Sequence, residues 1–249
     1  MTADKLPARR PGRLDRLDAL RGIAIVWMVA FHFSFDLNHG GWLRTSQNFY
    51  HDPFWTLQRT AIVSLFLGCA GLGQAIALHG GGPCWSSRFW RRWAQVAGCA
   101  LAVSAGSAWM FPITWISFGV LHGVALMLIA TRWLAPLGWR LWPMGALLLS
   151  LPHWLAHPVF DHRWSNWVGL VTHKPITEDY VPVLPWLAVM LWGLALGQWL
   201  LANRPGWLAE NLPNALQPLA MLGRWSLTVY MLHQPLLIGA LAAAATILR

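Results

Sequence analysis

An all-α, polytopic bundle of about seven membrane helices, with a range of six to eight, is the fold the sequence predicts. Three observations predict it. Hydrophobic residues fill 56% of the 249 positions and charged ones only 11%, where a soluble domain averages about 25% charged. Nineteen residues are Trp, the side chain that gathers where a membrane meets water. Most of the Lys and Arg residues sit between apolar runs rather than inside them. A net charge of +9 would also suit nucleic acid or anionic lipid. The charges track alternate loops, however, which is what orientation in a bilayer requires, so no nucleic-acid partner is expected.

The elements follow in order. Residues 1–16 carry Lys5, Arg9, Arg10, Arg13 and Arg16 and read as a basic cytoplasmic tail against anionic lipid. Residues 17–249 read as a single transmembrane domain. The first span covers Leu20–Leu37. No small-residue cleavage site follows it, and it holds His32 and Asp36, so it reads as a retained helix rather than a leader. A polar loop over 38–56 leads to the second span, Leu57–Leu78. A turn with Arg88, Arg91 and Arg92 precedes the third, Trp93–Met110. An uncharged turn over 111–118 precedes the fourth, Gly119–Thr131. A basic turn with Arg132 and Arg140 leads to a short fifth span, Leu141–Leu155. The longest loop, 156–182, carries His157, Asp161, His162, His173, Glu178 and Asp179. The sixth span is Val183–Leu201. A Pro-rich loop over 202–218 precedes the last, Leu219–Ile247.

Seven spans alternate the loop sides. Thirteen Lys and Arg residues then fall on the side of the N-terminus and five on the other: Arg44, Arg59, Arg163, Lys174 and Arg249. This asymmetry predicts a cytoplasmic N-terminus and an outer C-terminus.

The first span carries the chemistry. At 100° per residue, His32 lies about 20° from Arg21 on the helical wheel. Asp36 and His39 follow His32 at i+4 and i+7, so Asp18, Arg21, Met28, His32, Asp36 and His39 share one face. An ionisable stripe on a membrane helix is a functional-site hypothesis by default. A carboxylate at i+4 suits an imidazole it orients. The bland reading of His32 is an interhelical hydrogen bond. His233, near the middle of the last span, shares a face with Ser226 and Tyr230, and Pro235 frees the Met231 carbonyl from its helical partner. His122 starts the fourth span on the outer side. The catalytic candidates are therefore His39, His32, Asp36 and His233. Candidates for substrate contact are His122, Tyr230, Trp42 and Asp179. Four histidines and Asp36 are expected to converge in the outer half of one cavity.

Soluble-enzyme signatures are absent: no Walker-type phosphate loop, no GxSxG and no HExxH. Cys69, Cys84 and Cys99 have neither pairing nor metal spacing, and no metal is expected. Two further classes use membrane Asp and His. A proton-coupled transporter would carry pseudo-repeats and paired broken helices, which the chain lacks. A b-type cytochrome would place two internal His on each of two helices, and no span does.

The run RLDRLDALRGIAIVWMVAFHFSFDL resembles the N-terminal signature of the heparan-α-glucosaminide N-acetyltransferase family in a short bacterial form. ISFGVLHGVALMLIA resembles that family's central helix, DYVPVLPWLAVMLWGLALG its late span, and LGRWSLTVYMLHQPLL its last helix. The LDxLRG start is shared with membrane O-acyltransferases that decorate bacterial surface sugars, so the superfamily is better fixed than the acceptor. The resemblance implies an integral membrane acyltransferase that moves an acyl group from acyl-CoA, as co-substrate, to an amine or hydroxyl of a sugar. The family's catalytic His in a His-x-x-Trp context matches His39 and Trp42. His32 falls where the animal lysosomal enzyme has Asn. The chain is much shorter than the animal enzyme, so heparan sulfate itself is not implied as acceptor. Histidine general-base catalysis is the expected mechanism, with an acyl-histidine intermediate as the other route. Arg21, with Arg16 and Arg13, is expected to hold the CoA phosphates. Arg88, Arg91 and Arg92 form a second candidate phosphate site. A homodimer is compatible with the chain.

Overall fold

A computed structural model describes residues 14–79 and 83–247. Apolar runs interrupted by Gly, Pro and charged residues become helices throughout, and no strand occurs among the described residues. In chain order they are α1 Asp15–His39, α2 Pro53–His79, α3 Ser87–Met110, α4 Val120–Leu134, α5 Leu141–Leu155, α6 Val183–Asn203, α7 Pro205–Ala209, α8 Gln217–Arg224 and α9 Ser226–Ile247. Five stretches are long and apolar enough to cross a membrane: α1, α2, the run Val120–Leu155 through α4 and α5, α6, and α9. The chain is an α-helical membrane bundle. α3 is long enough but opens on Arg88, Arg91 and Arg92 and is rich in Ala, Gly and Ser.

Helices α4 and α5 have 15 residues each, where a perpendicular span takes about 20. A 3-10 turn, Ala135–Arg140, links them, and Gly138 takes φ +56° there. The expected last span is split. The chain turns at Trp225 between α8 and α9. The reason is Arg224. A continuous helix would carry it into the apolar layer, whereas amphipathic α8 lies along the start of α1 and Arg224 pairs with Asp15 at 2.8 Å.

The bundle is centred on α2 and α6, which make the most extensive helix pair. Lipid tails are as apolar as Leu, so burial alone does not hold membrane helices together; close backbone approach does. Gly193 of α6 faces the Gly68 carbonyl of α2, and Gly71 of α2 faces the Met190 carbonyl of α6, so closely that a Cβ at either would collide with backbone. Leu67, Met127, Leu141, Met190, Leu191 and Leu194 fill the centre between α2, α4, α5 and α6. A second cluster packs Ile25, Met28 and Phe31 of α1 against Ile62 of α2 and Phe49 of the first loop, with Val229 and Tyr230 of α9 at its edge. It fixes the rotation of α1 and so the direction of its polar stripe.

Candidate functional site

The stripe on α1 is met by α9. The rings of His32 and His233 lie 5.0 Å apart between centroids, tilted at 59°. His233 is buried, and its Nδ1 lies 2.7 Å from the Tyr230 carbonyl oxygen. A carbonyl only accepts, so Nδ1 carries the proton and Nε2 keeps a lone pair. That Nε2 is buried and has no hydrogen-bond partner among the described residues. The Tyr230 ring packs 5.7 Å from His233.

Asp36 does not turn to His32. Both its carboxylate oxygens accept hydrogen bonds from Gln234 Nε2 of α9, at 2.9 and 3.1 Å. The i+4 spacing allows an Asp36–His32 contact, but α9 supplies a better-placed donor. His32, Asp36, His233 and Tyr230 therefore form one cluster between two helices.

His39 stands apart, at the end of α1. Its ring stacks parallel to Phe35 at 6.1 Å. It lines a cavity of about 280 Å³ with Phe35, Asn38, Gln47, Asn48 and Tyr50. The first loop is pinned over this cavity by Asn38, whose Nδ2 donates to the Gln47 carbonyl at 2.9 Å and whose Oδ1 accepts the Gln47 N–H at 2.7 Å. Trp42 folds back beside Gly40, its backbone N–H donating to the Leu37 carbonyl at 2.9 Å. Its indole packs so close that a Cβ at Gly40 would meet it at 2.8 Å.

His122 lies elsewhere, at the start of α4. Its Nδ1 accepts the Gly119 N–H at 3.2 Å, so Nε2 carries the proton and faces Ser104 Oγ at 3.1 Å. Both ring nitrogens are engaged. Asp179 caps the same helix from the long loop: its Oδ2 accepts the Val120 N–H at 2.7 Å. Burial pushes the Asp179 carboxyl above the usual range, against that hydrogen bond and the attraction of Lys174. Lys174 is pushed down by burial and by the nearby Arg59. Its Nζ lies 5.9 Å from the Tyr50 ring, so Lys174 borders the cavity beside His39. Tyr50 and Lys174 carried no signal in the sequence, because loop residues show no periodicity. Asn38, next to His39 in the chain, could have been found by its position.

At the opposite end of α1, Arg21 pairs with Asp18 at 3.2 Å, and Arg92 of α3 lies within electrostatic reach of it. The two basic clusters expected from sequence thus meet. Arg16 pairs with Glu210 and sits 5.1 Å over the Trp207 ring. Arg13 lies outside the described residues. Among the described residues no three His, Cys, Asp or Glu side chains come together to hold a metal.

An apolar helical bundle, with paired histidines between two of its helices and a histidine-lined cavity at one end, defines an integral membrane protein with ionisable groups in its interior. The family model for heparan-alpha-glucosaminide N-acetyltransferase, catalytic, matches residues 13–235. The chain belongs to that family, which makes it a membrane acetyltransferase. Neither curated proteins nor solved structures give a match.

Proposed function

We propose that the protein transfers an acyl group, the acetyl group in the first instance, from acetyl-CoA to an amine or hydroxyl of a sugar at the outer side of the membrane, with His39 as general base. The observation that carries this reading is the cavity of about 280 Å³ whose one histidine is His39, in a chain of the acetyltransferase family. In the reaction the imidazole takes the proton from the acceptor as its N or O attacks the thioester carbonyl. The new C–N or C–O bond forms, the C–S bond breaks, and the thiolate of CoA leaves and takes up a proton. Loss of a general base costs on the order of 10²–10⁴ in rate. Donor phosphates are assigned to Arg21 with Arg92, and Arg16 and Arg13 add positive charge at that mouth.

One observation favours a second assignment within the same reaction. Along α1, Arg21 is about 16 Å from His32 and about 27 Å from His39 at the rise of an α-helix. An acyl group arriving from the Arg21 end meets the His32–His233 pair first. The unpartnered Nε2 lone pair of His233 suits attack on the thioester, which would give an acyl-histidine and release CoA before the sugar is acylated.

The test incubates purified protein with labelled acetyl-CoA and an amino sugar or a neutral sugar. Label is expected in the sugar with wild type. His39→Ala is expected to lose about 10²-fold or more in turnover while keeping CoA binding and melting behaviour. Label retained on the protein in the absence of acceptor, and lost in His233→Ala, selects the two-step route. Near wild-type turnover in His39→Ala removes His39 as base.

A further inference from the structure

A second cavity of about 280 Å³ lies between the α3–α4 turn and the α5–α6 loop, lined by Trp115, Ser117, Phe118, Arg163, Trp164 and Trp167. Three indoles and a phenyl ring around one concavity are more than membrane anchoring requires. An anchoring Trp needs only headgroups beside it, whereas these line one concavity together with a guanidinium that lies over Trp115. Flat aromatic faces match the C–H faces of a sugar ring, and the Ser117 hydroxyl and indole N–H groups offer hydrogen bonds to its hydroxyls.

Arg163 sets the charge. Its guanidinium lies 4.9 Å over the Trp115 ring, and its one hydrogen bond among the described residues is a long one, 3.5 Å to the Ile113 carbonyl. Arg16, Arg21 and Arg224 each pair with a carboxylate; among the described residues Arg163 pairs with none. A planar fork of donors held flat on an indole, without a carboxylate of its own, is suited to a carboxylate or phosphate on a ligand.

The long loop joins this cavity to the one beside His39. Thr177 Oγ1 donates to the Trp115 carbonyl at 3.0 Å, and the Glu178 N–H donates to the Thr114 carbonyl at 3.0 Å. A few residues earlier, Lys174 sits over Tyr50 at the rim of the first cavity. Residues 174–178 thus run from one cavity to the other, with a cation at the His39 end.

We propose that the second cavity is a distal saccharide subsite: it binds an anionic sugar, carrying a carboxylate or phosphate, of an acceptor longer than one residue, with Trp164 and Trp167 stacking on the ring and Arg163 holding the charge. The proposal rests on the sugar-acceptor reading for the acceptor's identity, but binding is measured without turnover.

The full chain in phosphatidylcholine nanodiscs is titrated with glucuronic acid, glucose 6-phosphate and methyl glucoside, with ligand-observed NMR as the readout. At least one of the two anionic sugars is expected to bind roughly tenfold more tightly than the neutral one, and which of them does so separates carboxylate from phosphate. Arg163→Gln is expected to abolish that preference and keep neutral-sugar binding. Trp164→Ala, at a residue 90% exposed whose truncation leaves the buried core untouched, is expected to weaken all three roughly fivefold. In turnover with an anionic disaccharide acceptor, Trp164→Ala raises KM and leaves kcat, whereas His39→Ala lowers kcat. An unchanged preference in Arg163→Gln overturns the proposal. So does binding of no sugar by wild type, or loss of binding when phosphatidylglycerol is added, which would assign the cavity to lipid headgroups. Absence of label transfer to any sugar, with sugar binding intact, sinks the acceptor reading and leaves the subsite standing.

Discussion

Gln234 governs what Asp36 can do. Its amide nitrogen reaches both carboxylate oxygens, so Asp36 acts first as the clasp between α1 and α9. Charge-assisted hydrogen bonds of this kind contribute about 1.5–3 kcal/mol, and leaving a part-buried carboxylate without its donor costs a similar amount. Gln234→Leu is therefore expected to lower thermal stability in detergent, and to lower turnover to the same degree as Asp36→Asn. A fall in turnover with Asp36→Asn that Gln234→Leu does not reproduce would show that Asp36 acts on a histidine directly. The helical wheel put Asp36 and His32 on one face, and that was legible because period alone decides it. The true partner lies 198 residues away. No local pattern reports it, since it depends on how α9 is rotated against α1.

At the scale of elements, two joints carry the site. The first is the start of α4, where Asp179 accepts the Val120 N–H and stands near Arg59 and Lys174. Burial raises its folded pKa above the ordinary 3.8. The folded protein thus holds this proton more tightly than the unfolded chain does. The stabilising contribution is complete below 3.8 and is lost as pH rises through the raised value. Asp179→Asn keeps an acceptor for Val120 and cannot ionise. Wild type is expected to lose melting temperature relative to this variant as the buffer moves from about pH 4 to pH 7. Asp179→Ala leaves the N–H unpaired and is expected to cost about 1–3 kcal/mol at any pH. The second joint is α2 against α6. Gly193→Val would drive a side chain into the Gly68 carbonyl, and overpacking of this kind costs about 1–3 kcal/mol. Detergent-resistance assays are expected to show that loss, while an equal change at Gly98, where a Cβ meets open space, is expected to leave stability unchanged.

For the whole molecule, apolar composition and Trp content were enough to read an α-helical membrane bundle, because a bilayer admits few alternatives to helices. The helix ends at Met110 and Leu155 were read from flanking Pro, Gly and charge, and α2 runs one residue past the expected Leu78, to His79. Arg224 was the missed signal: a cation at the sixth residue of an expected span should have broken it, as the turn at Trp225 does. His32 and His233 were both singled out, yet the expected single cavity divides into a His32–His233 pair between α1 and α9, a cavity at His39 and a capped His122. Periodicity reports faces, and only packing reports which faces meet. Orientation follows from charge. The thirteen-to-five split of Lys and Arg predicts a cytoplasmic N-terminus. A periplasmic reporter joined after Pro112, in the α3–α4 turn, is expected to be active, and one joined after Gly138 silent. The reverse pattern would invert the assignment of donor and acceptor sides.

The clasp between Asp36 and Gln234 also sets an order of events during synthesis. Helix α1 leaves the ribosome well before α9, so each nascent chain passes through a stage in which His32 and Asp36 are already in the bilayer and their partners are still being translated. Independently inserted helices associate afterwards, and the arrival of α9 is what covers the two polar groups. A chain that stops short of α9 keeps both groups without the partners that α9 supplies.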